Sequence, residues 1–68
     1  MKYTVVIEKT DSSYGAYVPD LPGCVAIGET LEEAEKLIKE AIEFHIEGIK
    51  LEGLEVPEPT TTSVSVEV

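Results

Sequence analysis

The sequence predicts an α+β domain in which a four-stranded mixed sheet is covered on one face by a single helix. Short β-prone runs precede Gly28, one long stretch with helical periodicity follows it, and the C-terminal end alternates apolar and polar residues. The predicted order of elements is β-β-β-α-β. A right-handed crossover would place the last strand parallel to the first, which gives the strand order 3-2-1-4. A chain of 68 residues has room for one domain, residues 1–68.

The first three strands are each bounded by a turn signal. The cluster Asp11-Ser12-Ser13 marks a hairpin turn, and Gly28 ends the third strand. The last strand is indicated by valines that alternate with serine and glutamate, which predicts one buried face. The predicted strands are residues 2–9, 14–18, 24–27 and 61–68.

The helix has a clear start signal. Thr30 is a candidate N-cap, and Glu33 stands three residues later, which is the capping-box spacing. We expect the helix to run from Leu31 to about Leu51 and to stop near Gly53. At 100° per residue, one apolar stripe should face the sheet. Its predicted members are Leu31, Ala34, Ile38, Ala41, Ile42, His45 and Ile49.

The composition restricts the function. The formal charge is −9, with five lysines and no arginine, which argues against direct nucleic-acid binding and favours a basic protein partner. No apolar run approaches the roughly 20 residues of a membrane span, and one cysteine cannot form an intramolecular disulfide. We therefore expect a cytoplasmic protein. The absence of Asn and Gln, with abundant Glu, Lys, Val and Ile, is typical of thermophilic proteins.

Two motifs lie close together in the middle of the chain. The first reads Pro-Asp-Leu-Pro-Gly-Cys at 19–24, and its prolines fix φ, remove two N–H donors and so interrupt strand pairing. The second reads Gly-Glu-Thr-Leu-Glu-Glu-Ala at 28–34 and contains the capping box. The motif residues are Pro19, Asp20, Leu21, Pro22, Gly23, Cys24, Gly28, Thr30 and Glu33.

At this spacing the two motifs, with Tyr14–Val18 before them, resemble the N-terminal domain of HicB-type antitoxins over residues 1–59. The resemblance implies a partial ribonuclease-H-like fold. It also implies binding and neutralisation of HicA, a small RNA-cleaving toxin with a double-stranded-RNA-binding-like fold. Longer family members add a C-terminal DNA-binding domain. The present sequence offers no segment for one, so we expect no separate DNA-binding domain and no transfer of the autoregulatory role.

Three residues are candidates for a chemical role. His45 is either a metal ligand or proton shuttle, or a packed core histidine, and the lack of a second His at helical spacing favours packing. Cys24 is either a reactive thiol or a small buried residue, and the scarcity of cations favours burial. Asp20 either joins a carboxylate cluster that holds metal or caps an amide in its own loop, and we favour the cap. We predict no catalytic residues, no metal site and no cofactor.

Two surfaces are candidates for partner or oligomer contact. One is the sheet face away from the helix, with Val6 and, if the register of the second strand permits, Ala16 and Val18. The other is the helix flank, where Leu37 and Phe44 belong to a repeat of seven that ends at Leu51. Scattered surface residues are the alternative interpretation in the first case, whereas in the second case a wider core face is the interpretation that we favour.

The sequence thus predicts a non-enzymatic binding module. The resemblance implies an antitoxin of a type II toxin–antitoxin system that neutralises a small basic HicA-type toxin by protein–protein contact. We also expect a homo-oligomer, a dimer or higher. The alternative is a homo-oligomeric interaction domain or small-molecule-binding domain with no toxin partner, and a residual metal-dependent hydrolase is the least favoured function.

Overall fold

The computed structural model describes residues 2–67 and contains three strands and one helix. All three strands are antiparallel, in the order β1-β2-β3, and the helix α1 packs against one face of the sheet, mainly on β3 and β2. The α+β class is therefore confirmed. The elements are β1 (Val6–Lys9), β2 (Tyr14–Tyr17), β3 (Val25–Gly28) and α1 (Leu31–Leu51).

Two alanines lie near the centre of the sheet face under the helix. Ala16 pairs with Ile7 on one side and with Ala26 on the other, and all three contribute to the core or pack against it. Gly28 lies so close to the helix that an added Cβ would stand 2.5 Å from the backbone nitrogen of Ala34. The helix therefore sits directly on the strands, and this side of the sheet has little room for large residues at its centre.

The loop between β2 and β3 is folded on itself by backbone hydrogen bonds. The N–H of Leu21 bonds to the carbonyl of Val18 at 3.1 Å, and the N–H of Cys24 bonds to the carbonyl of Leu21 at 3.0 Å. Gly23 has φ +84°, a conformation that favours glycine. These turns carry Leu21 into the core, where its side chain is fully buried. The loop therefore supplies a core residue as well as a connection.

The predicted N-cap is present at the start of α1, but the second bond of the capping box is displaced by one residue, to the N–H before Thr30. The hydroxyl of Thr30 accepts a bond from the N–H of Glu33 at 3.0 Å, and the Glu33 carboxylate accepts one from the N–H of Glu29 at 3.0 Å. Ala34 and Ile38 of the predicted core stripe are buried, and Ala41 and Ile42 pack against the core. The stripe is wrong at its ends, because Leu31 is 41% exposed and His45 and Ile49 line a surface recess instead of the core. The helix ends as expected near Gly53, which has φ +73°.

The predicted fourth strand and the order 3-2-1-4 are wrong for the residues that the structure describes. Residues 54–67 have no regular secondary structure, although they return to the start of the chain. There, the Tyr3 hydroxyl donates to the carbonyl of Pro57, and the Thr4 hydroxyl donates to the carbonyl of Thr61 at 2.8 Å. Side chains, not a backbone ladder, therefore attach this segment. The predicted strand's last residue, Val68, lies outside the described residues.

Candidate partner-binding surfaces

Asp20 connects the loop after β2 to the C-terminal segment. Its carboxylate accepts bonds from the N–H and hydroxyl groups of both Thr60 and Thr61, at 2.9–3.1 Å. The backbone bond from Thr61 is the main reason why the pKa of Asp20 lies below its ordinary value. Desolvation, the next largest effect, raises the pKa, and the other three bonds each lower it by less. Asp20 thus binds residues 40 and 41 positions away, and the predicted cap within its own loop is wrong.

Asp20 is not part of a metal site in the structure. Within residues 2–67, no three His, Cys, Asp or Glu side chains lie close enough together to hold a metal ion. His45 is half-buried on the helix. Cys24 is buried, and desolvation raises the pKa of its thiol, which makes the nucleophilic thiolate scarce at neutral pH.

The sheet face away from the helix, here called the open sheet face, carries large apolar side chains. Tyr17 is 41% exposed, Val25 is 64% exposed and Ile27 is 71% exposed. The strand pairing aligns Val6, Tyr17 and Val25 across the sheet. A shallow depression of about 330 Å³ runs along this face and is bordered by Glu8. An apolar centre with a polar edge is the usual anatomy of a protein-binding surface.

The open sheet face differs from the predicted one in its residues. Val6 is half-buried there, but Ala16 and Val18 are 3% and 2% exposed and belong to the core under the helix. The sequence was ambiguous because β2 has apolar residues on both faces, so alternation did not fix its register. Val25 and Ile27 were missed because the larger residues of a strand are usually the buried ones. In β3, Ala26 packs against the core, whereas Val25 and Ile27 are left on the open side.

The second candidate surface lies on the helix and is here called the helix stripe: Leu37, Phe44 and Leu51. Leu37 is half-buried, whereas Phe44 and Leu51 are 80% and 81% exposed. The expectation that this repeat widens the core is therefore wrong for Phe44 and Leu51. Beside the stripe, next to Gly48, is a recess of about 270 Å³.

The third feature is an apolar groove between the N-terminal segment and the helix. Its volume is about 500 Å³, and Tyr3, Val5, Ile42 and Ile46 form much of its walls. Charged side chains border it: Glu35, Lys39, Glu43 and Lys50. In the described residues 2–67, no helix has both the length and the apolar character needed to cross a membrane.

Comparisons with known proteins agree on one family. The family model described as the HicB-like antitoxin of bacterial toxin–antitoxin systems matches residues 3–67. An uncharacterised 14.9 kDa protein of Haemophilus phage HP1 is 49% identical over 57 residues, which are 84% of this chain and 43% of the phage protein. The chain thus spans less than half of that relative. A UPF0150 protein of Thermoplasma acidophilum is 43% identical over 67 residues, 97% of both chains.

A solved structure agrees with the sequence matches. The chain resembles a chain of the HicA3 and HicB3 toxin–antitoxin complex with a TM-score of 0.74 and 35% identity, over 88% of this chain and 70% of that one. The family model covers nearly the whole sequence, and the structural match extends the agreement to the fold. The chain therefore belongs to the HicB-like antitoxin family of bacterial toxin–antitoxin systems.

Proposed function

We propose that this chain neutralises a small basic HicA-type toxin by protein–protein contact in the cytoplasm, without catalysis of its own. The observation that carries the proposal is the match to a chain of the HicA3 and HicB3 complex, together with the family model over residues 3–67. The HicB resemblance implies a partner that cleaves RNA. Such a protein needs a positive surface for the phosphate backbone.

The charge of the chain supports this proposal. A formal charge of −9 would accelerate encounter with a cationic protein, and an acidic domain seated on an RNA-binding surface would exclude RNA by both charge and volume. Because exposed charges act at long range and are screened by salt, association with such a toxin should slow as the salt concentration rises.

For the contact itself, the open sheet face is the surface that we propose. Tyr17, Val25 and Ile27 provide an exposed apolar centre, and an aromatic residue among aliphatic ones is typical of binding hot spots. The surface is presented by a hydrogen-bonded sheet, so little conformational entropy should be lost on binding. Carboxylates elsewhere on the chain would then act mainly on the rate of encounter.

The experiment is co-expression with the small basic protein that, on this proposal, a neighbouring gene should encode. The expected result is a co-purified complex in which cleavage of a test RNA is suppressed. An Ile27→Glu variant should weaken the complex by about tenfold or more, since a charge in an apolar hot spot is left without a partner. Val64→Glu is the matched control, because Val64 is 77% exposed and lies outside the open sheet face.

The possible results separate the parts of this proposal. If the wild-type chain neither binds the neighbouring protein nor suppresses its RNA cleavage, toxin neutralisation is refuted. If binding occurs and Ile27→Glu is as effective as the wild type, neutralisation stands and the open sheet face is the wrong surface.

A second candidate function is favoured by the groove beside Tyr3 and Val5. Its apolar walls and volume of about 500 Å³ suit a small apolar ligand, which would make the chain a ligand-binding domain. Saturable binding of a fluorescent apolar probe, abolished by Ile42→Glu and retained in Ile27→Glu, would support this function. The ligand-binding function would be favoured further if the co-expression experiment gave neither a complex nor suppression of RNA cleavage.

A further inference from the structure

The depression on the open sheet face, here called the sheet depression, is lined in part by Gly15. This glycine lies in the central strand β2, where it pairs with Glu8 on one side and with Ile27 on the other. Successive residues of a strand point to opposite faces, and the next residue, Ala16, is buried under the helix, so Gly15 belongs to the open side. The sheet depression, of about 330 Å³, therefore contains a position at which the strand has no outward side chain.

The fold itself does not require a glycine at position 15. In the part of the chain that the structure describes, an added Cβ would meet no heavy atom within 4 Å, and Gly15 does not have a positive φ. Glycine weakens a strand, because it loses more backbone freedom on folding than other residues and has no side chain to pack. A glycine inside a strand often marks a site where another molecule approaches the backbone closely. The missing side chain thus points to contact with a partner.

The walls of the sheet depression are mostly apolar and include one carboxylate. Tyr17 lies two positions further along β2, and Val25 and Ile27 lie on the adjacent strand. Among the lining residues that the structure describes, Glu8 is the only charged one. Its side chain is exposed and has no hydrogen bond or ion pair with any other described residue. Because neighbouring strands are about 4.8 Å apart, Glu8 and Ile27 are separated by about 10 Å, with the bare Gly15 between them.

We propose that the sheet depression receives a single arginine or lysine side chain of the basic partner, an inference that rests on the proposed function. Such a side chain combines an apolar stem with a cationic end. The stem would lie over Gly15 between Tyr17 and Ile27, and the cationic end would pair with the Glu8 carboxylate. Arginine fits best, because a guanidinium group forms a forked pair with a carboxylate and also stacks on an aromatic ring such as that of Tyr17.

The charge of the chain favours a basic protein over a second copy as the source of this side chain. A neutral apolar side chain in the sheet depression would desolvate the Glu8 carboxylate without pairing it, whereas a cationic one pairs it. Two copies with a formal charge of −9 repel each other. With a basic protein, the long-range attraction and the local ion pair act in the same direction.

The test compares Glu8→Gln with Glu55→Gln in binding to the small basic protein of the co-expression experiment. Each variant removes one negative charge, but Glu55 is exposed and lies outside the sheet depression. Calorimetric titration at one fixed salt concentration should show that Glu8→Gln raises the dissociation constant by about tenfold, because the buried cation loses its counter-charge. Glu55→Gln should change the dissociation constant by less than about twofold, as expected for an exposed charge outside the contact.

Gly15→Val provides a second variant, in which folding and binding should change in opposite directions. Valine is favoured in strands, so the Tm of the free chain should be at least that of the wild type. The new side chain would occupy the place of the partner's side chain, so the dissociation constant should rise by about tenfold or more. Ser65→Val is the matched control, because it adds a valine at an exposed residue outside the sheet depression, and it should bind like the wild type.

The outcomes separate this inference from the proposed function. If the wild-type chain binds the basic protein and either Glu8→Gln or Gly15→Val binds it equally well, the inference is overturned and neutralisation stands. Equal weakening by Glu8→Gln and Glu55→Gln would indicate a general effect of net charge and would also overturn the inference. Lack of any complex with the wild-type chain would overturn both.

Discussion

The carboxylate of Asp20 accepts two hydrogen bonds from Thr61, one from the backbone N–H at 3.0 Å and one from the hydroxyl at 2.9 Å. The residues are 41 positions apart, and Thr60 makes the same two kinds of bond. One loop side chain thus fixes the point at which the C-terminal segment returns to the sheet.

Asp20→Asn should loosen the C-terminal segment while the sheet and helix remain folded. The NH₂ group can still bond the two hydroxyls, which would then accept, but the two backbone N–H groups lose a charged acceptor and keep only a weaker amide oxygen. Amide hydrogen exchange at Thr60 and Thr61 should become several-fold faster. Asp11→Asn, in the exposed hairpin turn, is the control and should leave exchange at both amides as in the wild type.

Acid should loosen the same segment. The bond from the Thr61 N–H, together with the other bonds from Thr61 and Thr60, lowers the pKa of Asp20 in the folded chain. The carboxylate therefore contributes stability that is fully present above its ordinary pKa of 3.8. That contribution is lost as the pH falls through the lower folded value. Amide chemical shifts of Thr60 and Thr61 should therefore stay constant from neutral pH down to about 3.8 and change below it. A change centred above 3.8 would contradict the assigned cause.

Leu21→Ala should be the most damaging single truncation in the loop. Leu21 is fully buried although it lies between two prolines, and removing its buried atoms would leave a cavity. The free energy of unfolding should fall by about 2–5 kcal/mol, measured by urea denaturation followed by circular dichroism. Leu54→Ala, at a residue that is 60% exposed, should change it by less than about 0.5 kcal/mol. Equal effects of the two variants would refute the anchoring role.

Gly28→Ala tests the contact between β3 and the helix. The new Cβ would lie 2.5 Å from the Ala34 nitrogen and 2.9 Å from its Cα, so strand or helix must shift. Overpacking of this kind should lower the free energy of unfolding by about 1–3 kcal/mol. Gly15→Ala is the matched control in β2, where an added Cβ would meet nothing within 4 Å. A neutral Gly28→Ala would show that the helix can move away without cost.

Thr30→Ala tests the capping box. The variant removes the oxygen that accepts the Glu33 N–H, and it should lower the free energy of unfolding by about 0.5–2 kcal/mol. Thr62→Ala, at an exposed residue of the C-terminal segment, should have no measurable effect on thermal unfolding. If both variants melt alike, the cap contributes nothing to the stability of the domain.

The local elements could be predicted from the sequence because their signals are local. The hairpin, the third strand, the cap at Thr30 and the helix end near Gly53 each depend on residues within a few positions. The prediction of a fourth strand was wrong because alternation of apolar and polar residues indicates only that a segment is able to pair in a sheet. Thr61, the first residue of the predicted strand, donates its N–H to the Asp20 carboxylate, and its carbonyl accepts from the Thr4 hydroxyl, so side chains already bind its backbone groups.

The candidate surfaces were only partly predictable. The seven-residue spacing of Phe44 is visible in the sequence, but it favoured a wider core face, and the 80% exposure of this side chain appears only in the structure. The exposure of Val25 and Ile27 depends on how closely the helix approaches Gly28, which is a tertiary property. Sequence periodicity indicates that the sheet has two faces. The packing of the helix against one of them leaves Val25 and Ile27 on the other.

The close seating of the helix on Gly28 has a consequence for how such a domain can evolve. Bulky residues that point to water can be exchanged without refitting the interior, so recognition and foldability are governed by different positions. A duplicated copy could acquire a new binding preference through a few outward substitutions while keeping the same scaffold.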